Sequence, residues 1–547
     1  MKILVTDKIA ERGLDLLRGE GWTIGEVPPK DTAAIKKALA GATAWILRSG
    51  TQVTTTLLEA APQLKVIGRA GIGVDNIDLE AATRRGILVM NTPGGNAVSV
   101  AEHTFALLLA LARRVPAADQ STRAGEWRKN EFAGFELKGK TLGLVGLGRI
   151  GQEVARRALV FEMQVLAHDP FVAAALARDL GVELVSLDDL LGRADFLSLH
   201  ATLTPETQRL LNRERLARSK RGIRILNTAR GELVDEAALA EALQSGQVAG
   251  AALDVFASEP PRDSPLLKLP NVIATPHIGG STAEAQEEVG WRIAQQVRDY
   301  LKDGVVRNAV NLPTLSAEEY RRLKPYLELA ERLGAFAAQV AGPMLRVSLR
   351  YAGEVGELNT QLLRNAVLKG ILARVVSEPA NLVNAQTLAA ERGLTLEETH
   401  VRREQSRSLG IPNTLGVTLH SDPSAPLGAG GQQFSIEGTV FHGAALRILA
   451  VDDIEIEAPL EGTIIFMRNR DVPGVIGQIG TLLGGRNINI ASFALGRREQ
   501  SGSMGSLGRG GGAEAVAIVR VDGAVPEPVL QALRGIPAVT FARVVEL

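Results

Sequence analysis

The chain contains no cysteine among its 547 residues. Disulfides, thiolate nucleophiles and cysteine-ligated zinc sites are therefore excluded. An excess of charge of either sign is also missing, because Lys plus Arg and Asp plus Glu both number 61. No global field favours nucleic acid or an anionic membrane, so we expect neither as a partner. Binding of a small anionic ligand to local arginines stays an alternative.

Long hydrophobic runs are missing as well. The strongest, TFALLLALA at 104–112, is too short to span a bilayer. The first residues, MKILVTDKIA, indicate a strand followed by a helix rather than a signal peptide, and we expect a cytoplasmic protein. Apolar residues make up 45% and charged residues 22%, as in ordinary globular proteins. Because 547 residues are too many for one core, several domains are predicted.

Short apolar runs alternate with helical patterns through residues 1–97 and again through 140–280. This alternation predicts parallel α/β sheets. A long helical pattern from about Val98 to Arg114 separates the two regions, and an amphipathic helix pattern covers 283–303. From about 312 to 455 the pattern changes to helices and then strands with glycine-rich turns, where we find no catalytic motif.

In the last region, from about Gly462 to the end, strands and helices alternate in a different order. It reads strand, helix, strand, strand, helix, strand, which is the ferredoxin-like βαββαβ order. A Gly/Ser-rich insertion at 497–514 separates the two middle strands and predicts a mobile loop.

A glycine motif follows the strand TLGLV. Gly146, Gly148 and Gly151 form G-x-G-x-x-G, a helix pattern follows, and a second strand ends at Asp169. Together these parts make the dinucleotide-binding fingerprint, in which the glycines allow a tight turn, backbone approach to the pyrophosphate and close packing of helix on strand. Asp169 can bind the ribose hydroxyls and would repel a 2′-phosphate, so NAD is favoured over NADP. Alternatively, Asp169 is a turn residue, since the sequence HDP is also typical of turns.

Polar residues end several strands of this region. In an open α/β sheet the ligand crevice lies at the carboxyl ends of the strands, so we expect these residues to converge there. The alternative is that they only mark turns. The residues are Asp169, Thr202, Thr228, Arg230, Asp254 and His277.

Three polar residues suit oxidation of a secondary alcohol by a nicotinamide cofactor. His277 can take the hydroxyl proton, and Glu259 can orient the imidazole and favour its cation. Arg230 can grip a substrate carboxylate and polarise the neighbouring carbonyl. Each residue also has a structural alternative: His277 as a turn cap, Glu259 as a solvated carboxylate, and Arg230 as a structural ion pair. No metal site is expected.

The motifs resemble those of the D-isomer-specific 2-hydroxyacid dehydrogenases, over essentially the whole chain. They are GRAGIGVDNID (68–78), NTPGGNAVSVAEHTFALLLALAR (91–113), GLVGLGRIG (143–151), NTARGELVDEAAL (227–239), ALDVFASEP (252–260) and TPHIGGST (275–282). The resemblance implies an Arg–Glu–His catalytic set, which falls on Arg230, Glu259 and His277. It also implies a division into a split substrate domain and three further domains. Their expected bounds are 1–97 plus 283–308 for the substrate domain, 98–282 for the Rossmann-type NAD domain, 312–455 for an intervening α+β domain and 462–547 for a ferredoxin-like ACT domain.

The resemblance further implies positions for cofactor and substrate. Cofactor-lining positions fall on the three motif glycines together with Arg149, Ile150, Asp169, Thr202, Thr228, Ala229, Asp254, Gly279 and Gly280. An anionic substrate is expected at Arg48, Ser49, Arg69, Gly95 and Asn96. For Arg48 and Arg69 the alternative is a surface ion pair.

The C-terminal regions are similar to those of the long-form phosphoglycerate dehydrogenases within this family. This implies NAD-dependent oxidation of 3-phosphoglycerate, with L-serine as effector at Asp471 and Asn489, which as alternatives are turn residues. Asn469 and the long insertion depart from the family pattern. A homotetramer is expected from the helix at 98–114 and the ACT region. The alternatives are a glyoxylate or hydroxypyruvate reductase and an NAD-sensing, corepressor-like binding protein.

Overall fold

The computed structural model describes residues 1–315, 317–342, 344–373, 379–401, 411–421, 433–498 and 514–547. Its strands form four sheets, which follow one another along the chain. None of the helices in these ranges is long and apolar enough to cross a membrane.

The first sheet has five parallel strands in the order β2-β1-β3-β4-β5. Its strands are β1 (Lys2–Val5), β2 (Thr23–Glu26), β3 (Ala44–Leu47), β4 (Val66–Arg69) and β5 (Leu88–Met90), and its helices are α1 (Glu11–Gly19), α2 (Thr32–Leu39), α3 (Thr55–Glu59) and α4 (Leu79–Arg84). The side chains of Asp31 and Asp78 cap α2 and α4 by accepting a backbone N–H of the first turn.

The second sheet has seven parallel strands in the order β12-β11-β10-β9-β6-β7-β8, the Rossmann-type order extended by one strand. The strands are β6 (Thr141–Val145), β7 (Gln164–His168), β8 (Glu183–Leu184), β9 (Phe196–Leu199), β10 (Ile223–Asn227), β11 (Val248–Leu253) and β12 (Val272–Ala274). The helices are α5 (Ala97–Arg113), α6 (Val115–Arg123), α7 (Arg149–Val160), α8 (Ala174–Asp179), α9 (Leu187–Arg193), α10 (Arg213–Arg218) and α11 (Glu236–Gln244). The predicted parallel α/β architecture is confirmed.

The helix α12 (Ala283–Asp303) leaves the second sheet and returns to the first. It packs on α1 so closely that a Cβ on Gly13 would lie 2.8 Å from the carbonyl oxygen of Gly290. Ile293 and Val297 of α12 sit over Gly68 of β4. This return agrees with a split first domain, whose bounds, like those of the other three domains, stay a prediction.

The third sheet is mixed, with the order β14-β13-β15-β16-β17-β18. Its strands are β13 (Met344–Ala352), β14 (Thr395–Val401), β15 (Thr414–Ser421), β16 (Gln433–Phe441), β17 (Ala445–Val451) and β18 (Ile454–Pro459), and its helices are α13 (Ala317–Ala341), α14 (Thr360–Leu372) and α15 (Ala385–Glu391). The sequence pattern predicted helices before strands, but β13 lies between α13 and α14. Its alternating polar residues gave no continuous apolar run.

The fourth sheet is antiparallel, with the order β20-β21-β19-β22, so the predicted ferredoxin-like unit is confirmed. It comprises β19 (Thr463–Arg470), α16 (Val475–Gly484), β20 (Ile490–Arg497), β21 (Glu514–Val521), α17 (Glu527–Arg534) and β22 (Val539–Glu546). Most of the insertion predicted as a mobile loop, residues 499–513, lies outside the described residues.

The third and fourth sheets share one hydrophobic core. Phe466 of β19 lies at its centre, with ring centroids 5.7 Å from Phe336 of α13 and 5.9 Å from Phe434 of β16. Both contacts are edge-to-face, the favoured arrangement for aromatic pairs. Beside them Arg468 pairs with Asp452, and both side chains are only 15% exposed. The two C-terminal units are therefore joined by a continuous core.

The segment 379–391 attaches these units to the first sheet. Asn381 Nδ2 donates to the carbonyl oxygen of Gly86 over 2.8 Å, and Asn384 Nδ2 donates to that of Arg84 over 3.3 Å. Val383, between them, is buried in the core of the first sheet. The C-terminal half therefore contacts the first sheet through polar and apolar groups together.

Candidate active site

The side chains of His277 and Glu259 are hydrogen-bonded to each other, Nδ1 to Oε2, over 2.8 Å. They follow the neighbouring strands β12 and β11 at their carboxyl ends. Glu259 Oε1 also accepts the backbone N–H of Phe256 over 3.2 Å. Burial raises the pKa of Glu259, but the hydrogen bond and charge of His277 outweigh it and hold that pKa below its ordinary value. The carboxylate is thus ionised beside the imidazole and orients it.

The buried carboxylate of Asp254 fixes the loop that carries His277. Oδ1 lies 2.6 Å from Thr275 Oγ1, 2.9 Å from the Ile278 backbone nitrogen and 3.2 Å from His103 Nε2, and Oδ2 accepts the Gly279 N–H over 2.8 Å. Burial raises the pKa of Asp254, but these hydrogen bonds together lower it to about 2. A fully ionised carboxylate therefore holds the loop.

His103 was not predicted from the sequence. It lies on α5, 151 residues before Asp254, and its Nε2 also lies 3.1 Å from Thr275 Oγ1. Its position in the AEHT motif was the only available signal, and a histidine on a helix gives no indication of its distant partner.

Arg230 follows β10, and two contacts fix the backbone at this position. Its carbonyl oxygen accepts Asn227 Nδ2 over 2.8 Å. The next residue, Gly231, packs directly on Phe256, because a Cβ on Gly231 would lie 1.9 Å from the Phe256 carbonyl carbon. Since the Phe256 N–H holds Glu259, the backbone that follows Arg230 packs against the segment that holds Glu259.

Three guanidinium groups, the arginine cluster Arg48, Arg69 and Arg230, converge across the two sheets. Burial, together with the positive charges of Arg230 and Arg48, lowers the pKa of Arg69 to about 10. The Nε atoms of Arg48 and Arg69 are buried and have no hydrogen-bond partner within the described ranges. For Arg48 and Arg69, neighbouring like charges and free donors favour an anion site over surface ion pairs.

The other expected substrate residues are Ser49, Gly95 and Asn96. Ser49 is exposed and Gly95 half-buried. Asn96 directly precedes α5, and its buried Oδ1 has no partner among the residues described. A Cβ on Gly280 would lie 2.6 Å from Asn96 Nδ2, so this predicted substrate residue contacts a predicted cofactor residue.

The glycine turn between β6 and α7 fits a dinucleotide. Gly146 has φ +96°, and a Cβ there would lie 2.6 Å from the His200 carbonyl oxygen. A Cβ on Gly151 would lie 2.2 Å from the Gly146 carbonyl oxygen. A Cβ on Gly148, by contrast, would meet no atom within 4 Å. The turn therefore leaves open space before the first N–H groups of α7, where a pyrophosphate is favoured.

Asp169 supports this turn from the end of β7. Its Oδ2 accepts the Leu147 N–H over 2.8 Å, and its Oδ1 accepts the Phe171 N–H over 2.9 Å. Asp169 is thus a turn residue, as the alternative held, but each oxygen keeps a lone pair for a ribose hydroxyl. The two interpretations are compatible.

The remaining expected cofactor residues lie at the same edge of the second sheet. Arg149 donates from a guanidinium nitrogen to the Pro93 carbonyl oxygen over 2.6 Å, and Ile150 packs on the core of this sheet. Thr202 is exposed, whereas Thr228 is buried with its hydroxyl 2.9 Å from that of Thr104. The Ala229 N–H donates to Asn227 Oδ1 over 3.0 Å.

His200, also missed from sequence, lies beneath the glycine turn. Burial alone lowers its pKa to about 4, so the ring is neutral at physiological pH. Its Nε2 lies 2.9 Å from Ser198 Oγ, and its Nδ1 has no partner among the described residues. Its proximity to the turn follows from the pairing of β9 with β6, which a sequence cannot give.

A cavity of about 300 Å³ lies in the fourth unit, beside the start of α16. Asp471 lines it and pairs with Arg497, Oδ2 to Nε, over 3.1 Å. Asn469 also lines it, and its buried Oδ1 is unpartnered within the described ranges. The second expected effector residue, Asn489, does not line this cavity and instead donates to Asp522 Oδ2 over 2.6 Å. The structure of a single chain does not bring Asp471 and Asn489 together.

Comparisons with known proteins agree with this geometry. Residues 105–279 match the family model described as D-isomer specific 2-hydroxyacid dehydrogenase, NAD binding domain. Residues 322–452 match the D-3-phosphoglycerate dehydrogenase intervening domain, and 463–538 match the ACT domain. A chain with these modules is an NAD-dependent dehydrogenase of D-2-hydroxy acids, and its ACT unit fits a small-molecule effector.

Curated relatives match the chain over its full length. D-3-phosphoglycerate dehydrogenase of Methanocaldococcus jannaschii is 42% identical, with all of both chains covered. That of Bacillus subtilis is 38% identical over 100% of this chain and 99% of its own. The chain therefore belongs to the D-3-phosphoglycerate dehydrogenases, a branch of the D-isomer specific 2-hydroxyacid dehydrogenase family.

Solved structures match the first half. A Thermus thermophilus protein is 42% identical and covers 57% of this chain and 100% of its own, with TM-score 0.52. D-lactate dehydrogenase from Aquifex aeolicus, complexed with NAD and lactic acid, is 31% identical over 57% of this chain and 100% of its own, with TM-score 0.50. The cofactor of this chain is NAD.

Replacing Asp254 by Asn is expected to loosen the loop at 275–279. The lowered pKa means that the ionised carboxylate stabilises the fold above its ordinary pKa, and that this contribution is lost as pH falls through about 2. At neutral pH the variant should lose about 2 kcal/mol of protection in this loop. Between about pH 4 and 2 the difference from wild type should shrink.

Hydrogen exchange of residues 254–279 measures this effect. Asp263→Asn, at an exposed position nearby, serves as the control. Equal protection of wild type and Asp254→Asn at neutral pH would mean that the buried carboxylate does not hold the loop.

Proposed function

We propose that the chain oxidises 3-phospho-D-glycerate to 3-phosphohydroxypyruvate with NAD, the first step of L-serine biosynthesis. The observation that carries this proposal is the arginine cluster, which occurs together with the hydrogen-bonded Glu259–His277 pair. A substrate with a phosphate and a carboxylate matches three converging guanidinium groups better than glyoxylate or hydroxypyruvate, each of which has a single carboxylate. The full-length match to relatives named D-3-phosphoglycerate dehydrogenase supports the same substrate.

The residues divide the work of binding between them. The phosphate end of the substrate is surrounded by Arg48, Arg69, Ser49, Gly95 and Asn96. Arg230 holds the carboxylate through its free N–H groups and polarises the forming carbonyl. The buried, unpaired donors of the cluster become satisfied only when an anion arrives, which favours a doubly charged substrate.

The chemical step needs removal of a proton and a hydride from the same alcohol. His277 takes the hydroxyl proton at Nε2, because its Nδ1 is occupied by Glu259. Glu259 stabilises the resulting imidazolium without accepting the proton itself. The glycine turn, Asp169 and the neighbouring strand ends would hold NAD, which would supply the acceptor for the hydride from C2. In the reverse direction His277 returns the proton to the carbonyl oxygen.

The two alternatives have weaker support. A reductase of glyoxylate or hydroxypyruvate fits the shared first half, and a glyoxylate reductase from Paecilomyes thermophila is 33% identical over 57% of this chain. A corepressor-like binding protein has no need of a hydrogen-bonded Glu–His pair beside an arginine. We keep the homotetramer and a cytoplasmic location as predictions.

The substrate assignment predicts a selective effect of Arg48→Gln. Loss of one charged donor to phosphate should raise KM for 3-phosphohydroxypyruvate by about 10-fold to 100-fold, since such bonds contribute roughly 1.5–3 kcal/mol. KM for hydroxypyruvate, which has no phosphate, should change little. NADH consumption with both substrates and with glyoxylate measures this, and Arg123→Gln, an exposed arginine far from the cluster, is the control.

Two outcomes contradict the proposal. A wild-type preference for hydroxypyruvate or glyoxylate would make the chain a reductase. An absence of turnover with all three substrates would favour the binding protein.

Asp471 and Arg497 support an amino-acid effector. Their opposite charges suit the ammonium and carboxylate of a zwitterion, and L-serine is the effector expected from the resemblance.

L-Serine should bind the full chain, and Asp471→Asn should weaken binding by about 10-fold or more through loss of a charged hydrogen bond. Calorimetry measures this, with Glu527→Gln on α17 as control. Equal affinity of the variant would exclude Asp471 as a residue that binds L-serine. No binding to wild type would exclude L-serine as the effector.

A further inference from the structure

Arg230 is held by a carboxylate from the opposite side of the cleft. Its Nε donates to Asp75 Oδ2 over 2.9 Å, and the two residues are 155 positions apart. Asp75 lies in the loop between β4 and α4 of the first sheet, whereas Arg230 follows β10 of the second. This ion pair therefore links the two sheets at the arginine cluster.

Each nitrogen of the Arg230 guanidinium has a defined neighbour. Besides the Nε bond to Asp75, Nη1 donates to the Ala229 carbonyl oxygen over 2.7 Å. Nη2 lies against Gly73, where a Cβ would come within 1.8 Å of it. Two of the three nitrogens thus contact the loop 73–75. Since a guanidinium carries five N–H groups, three remain for a substrate.

The charges around this loop explain why a carboxylate is needed there. Besides burial, the charges of Arg230 and Arg48 both lower the pKa of Arg69, so each of these two groups repels the Arg69 guanidinium. Asp75 acts on Arg69 in the opposite direction and raises its pKa. The carboxylate thus offsets part of the repulsion and lets Arg230 stay in the cluster.

We infer that Asp75 is a positioning residue, which sets the Arg230 guanidinium for the substrate carboxylate from the first sheet. The inference rests on the proposed role of Arg230. Asp75 engages Nε, and Nη1 and Nη2 together keep three N–H groups for bidentate binding of a carboxylate. Because Asp75 belongs to the first sheet and Arg230 to the second, the placement of Arg230 depends on the contact between the two sheets.

The pair contributes to catalysis more than to stability. The Asp75 side chain is 63% exposed and that of Arg230 27% exposed, and such exposed pairs stabilise folded proteins very little. Asp75→Asn should therefore keep the thermal midpoint of unfolding and the affinity for NADH. If turnover changes while the thermal midpoint and the NADH affinity do not, Asp75 acts by positioning and not through a general structural role.

The test uses the full-length chain and steady-state reduction of 3-phosphohydroxypyruvate. Asp75→Asn should lower kcat/KM at least about 10-fold, with kcat carrying most of the loss, because a misplaced guanidinium stabilises the transition state less than the ground state. Asp75→Glu, which keeps the charge, should restore part of the activity. Glu80→Gln, an exposed carboxylate of α4 paired with Arg84, is the control.

A double variant tests whether Asp75 acts through Arg230. In an Arg230→Lys background, whose side chain has no Nε–H fork, Asp75→Asn should add little further loss. Full additivity would show that Asp75 acts elsewhere and overturn the inference.

Two other results would also overturn it. A lower KM with unchanged kcat would mean that Asp75 occupies the place of the substrate carboxylate, and unchanged kinetics would mean that the pair is incidental. If wild type instead prefers another 2-oxo acid, the proposed substrate fails while the same comparison with that acid still tests Asp75.

Discussion

The buried carboxylate of Asp254 is the constraint on which the candidate active site depends. An ionised group at 1% exposure is tolerated only when its hydrogen bonds replace water, and Asp254 has four such partners. Those partners come from α5 and from the loop that contains His277. The carbonyl oxygen of Asp254 also accepts the His277 N–H over 2.8 Å, so the backbone and the side chain of one residue both fix the position of His277.

The part of the site that is proposed to bind the substrate differs from the surroundings of Asp254 in its balance of charge. Here positive charge is in excess, since three guanidinium groups face one another with Asp75 as the ion-pair partner of Arg230. Such an arrangement is unfavourable until an anion arrives, and this favours binding of a substrate with two negative groups. In the proposed reaction the Glu259–His277 pair moves one proton, and the cluster selects and orients the substrate.

Much of this arrangement was predictable from the sequence. Alternating apolar runs indicated the parallel sheets, and the spacing of Gly146, Gly148 and Gly151 before Asp169 indicated the dinucleotide turn. Both signals are local, because a strand, a turn and a helix follow one another within about thirty residues. Contacts such as Asp254–His103 and Arg230–Asp75 were not predictable, since they join residues 151 and 155 positions apart. The shared core around Phe466 was missed for a similar reason, because periodicity shows which face is apolar but not which sheet covers it.

Proton transfer by the Glu259–His277 pair is the central claim. The most direct test is the kcat of Glu259→Gln in the oxidation of 3-phospho-D-glycerate, measured beside Glu284→Gln, an exposed position at the start of α12. We expect a loss of about 10²-fold to 10⁴-fold with unchanged NADH affinity, because a neutral amide cannot stabilise the imidazolium. A kcat within a few-fold of wild type would contradict this role of the pair.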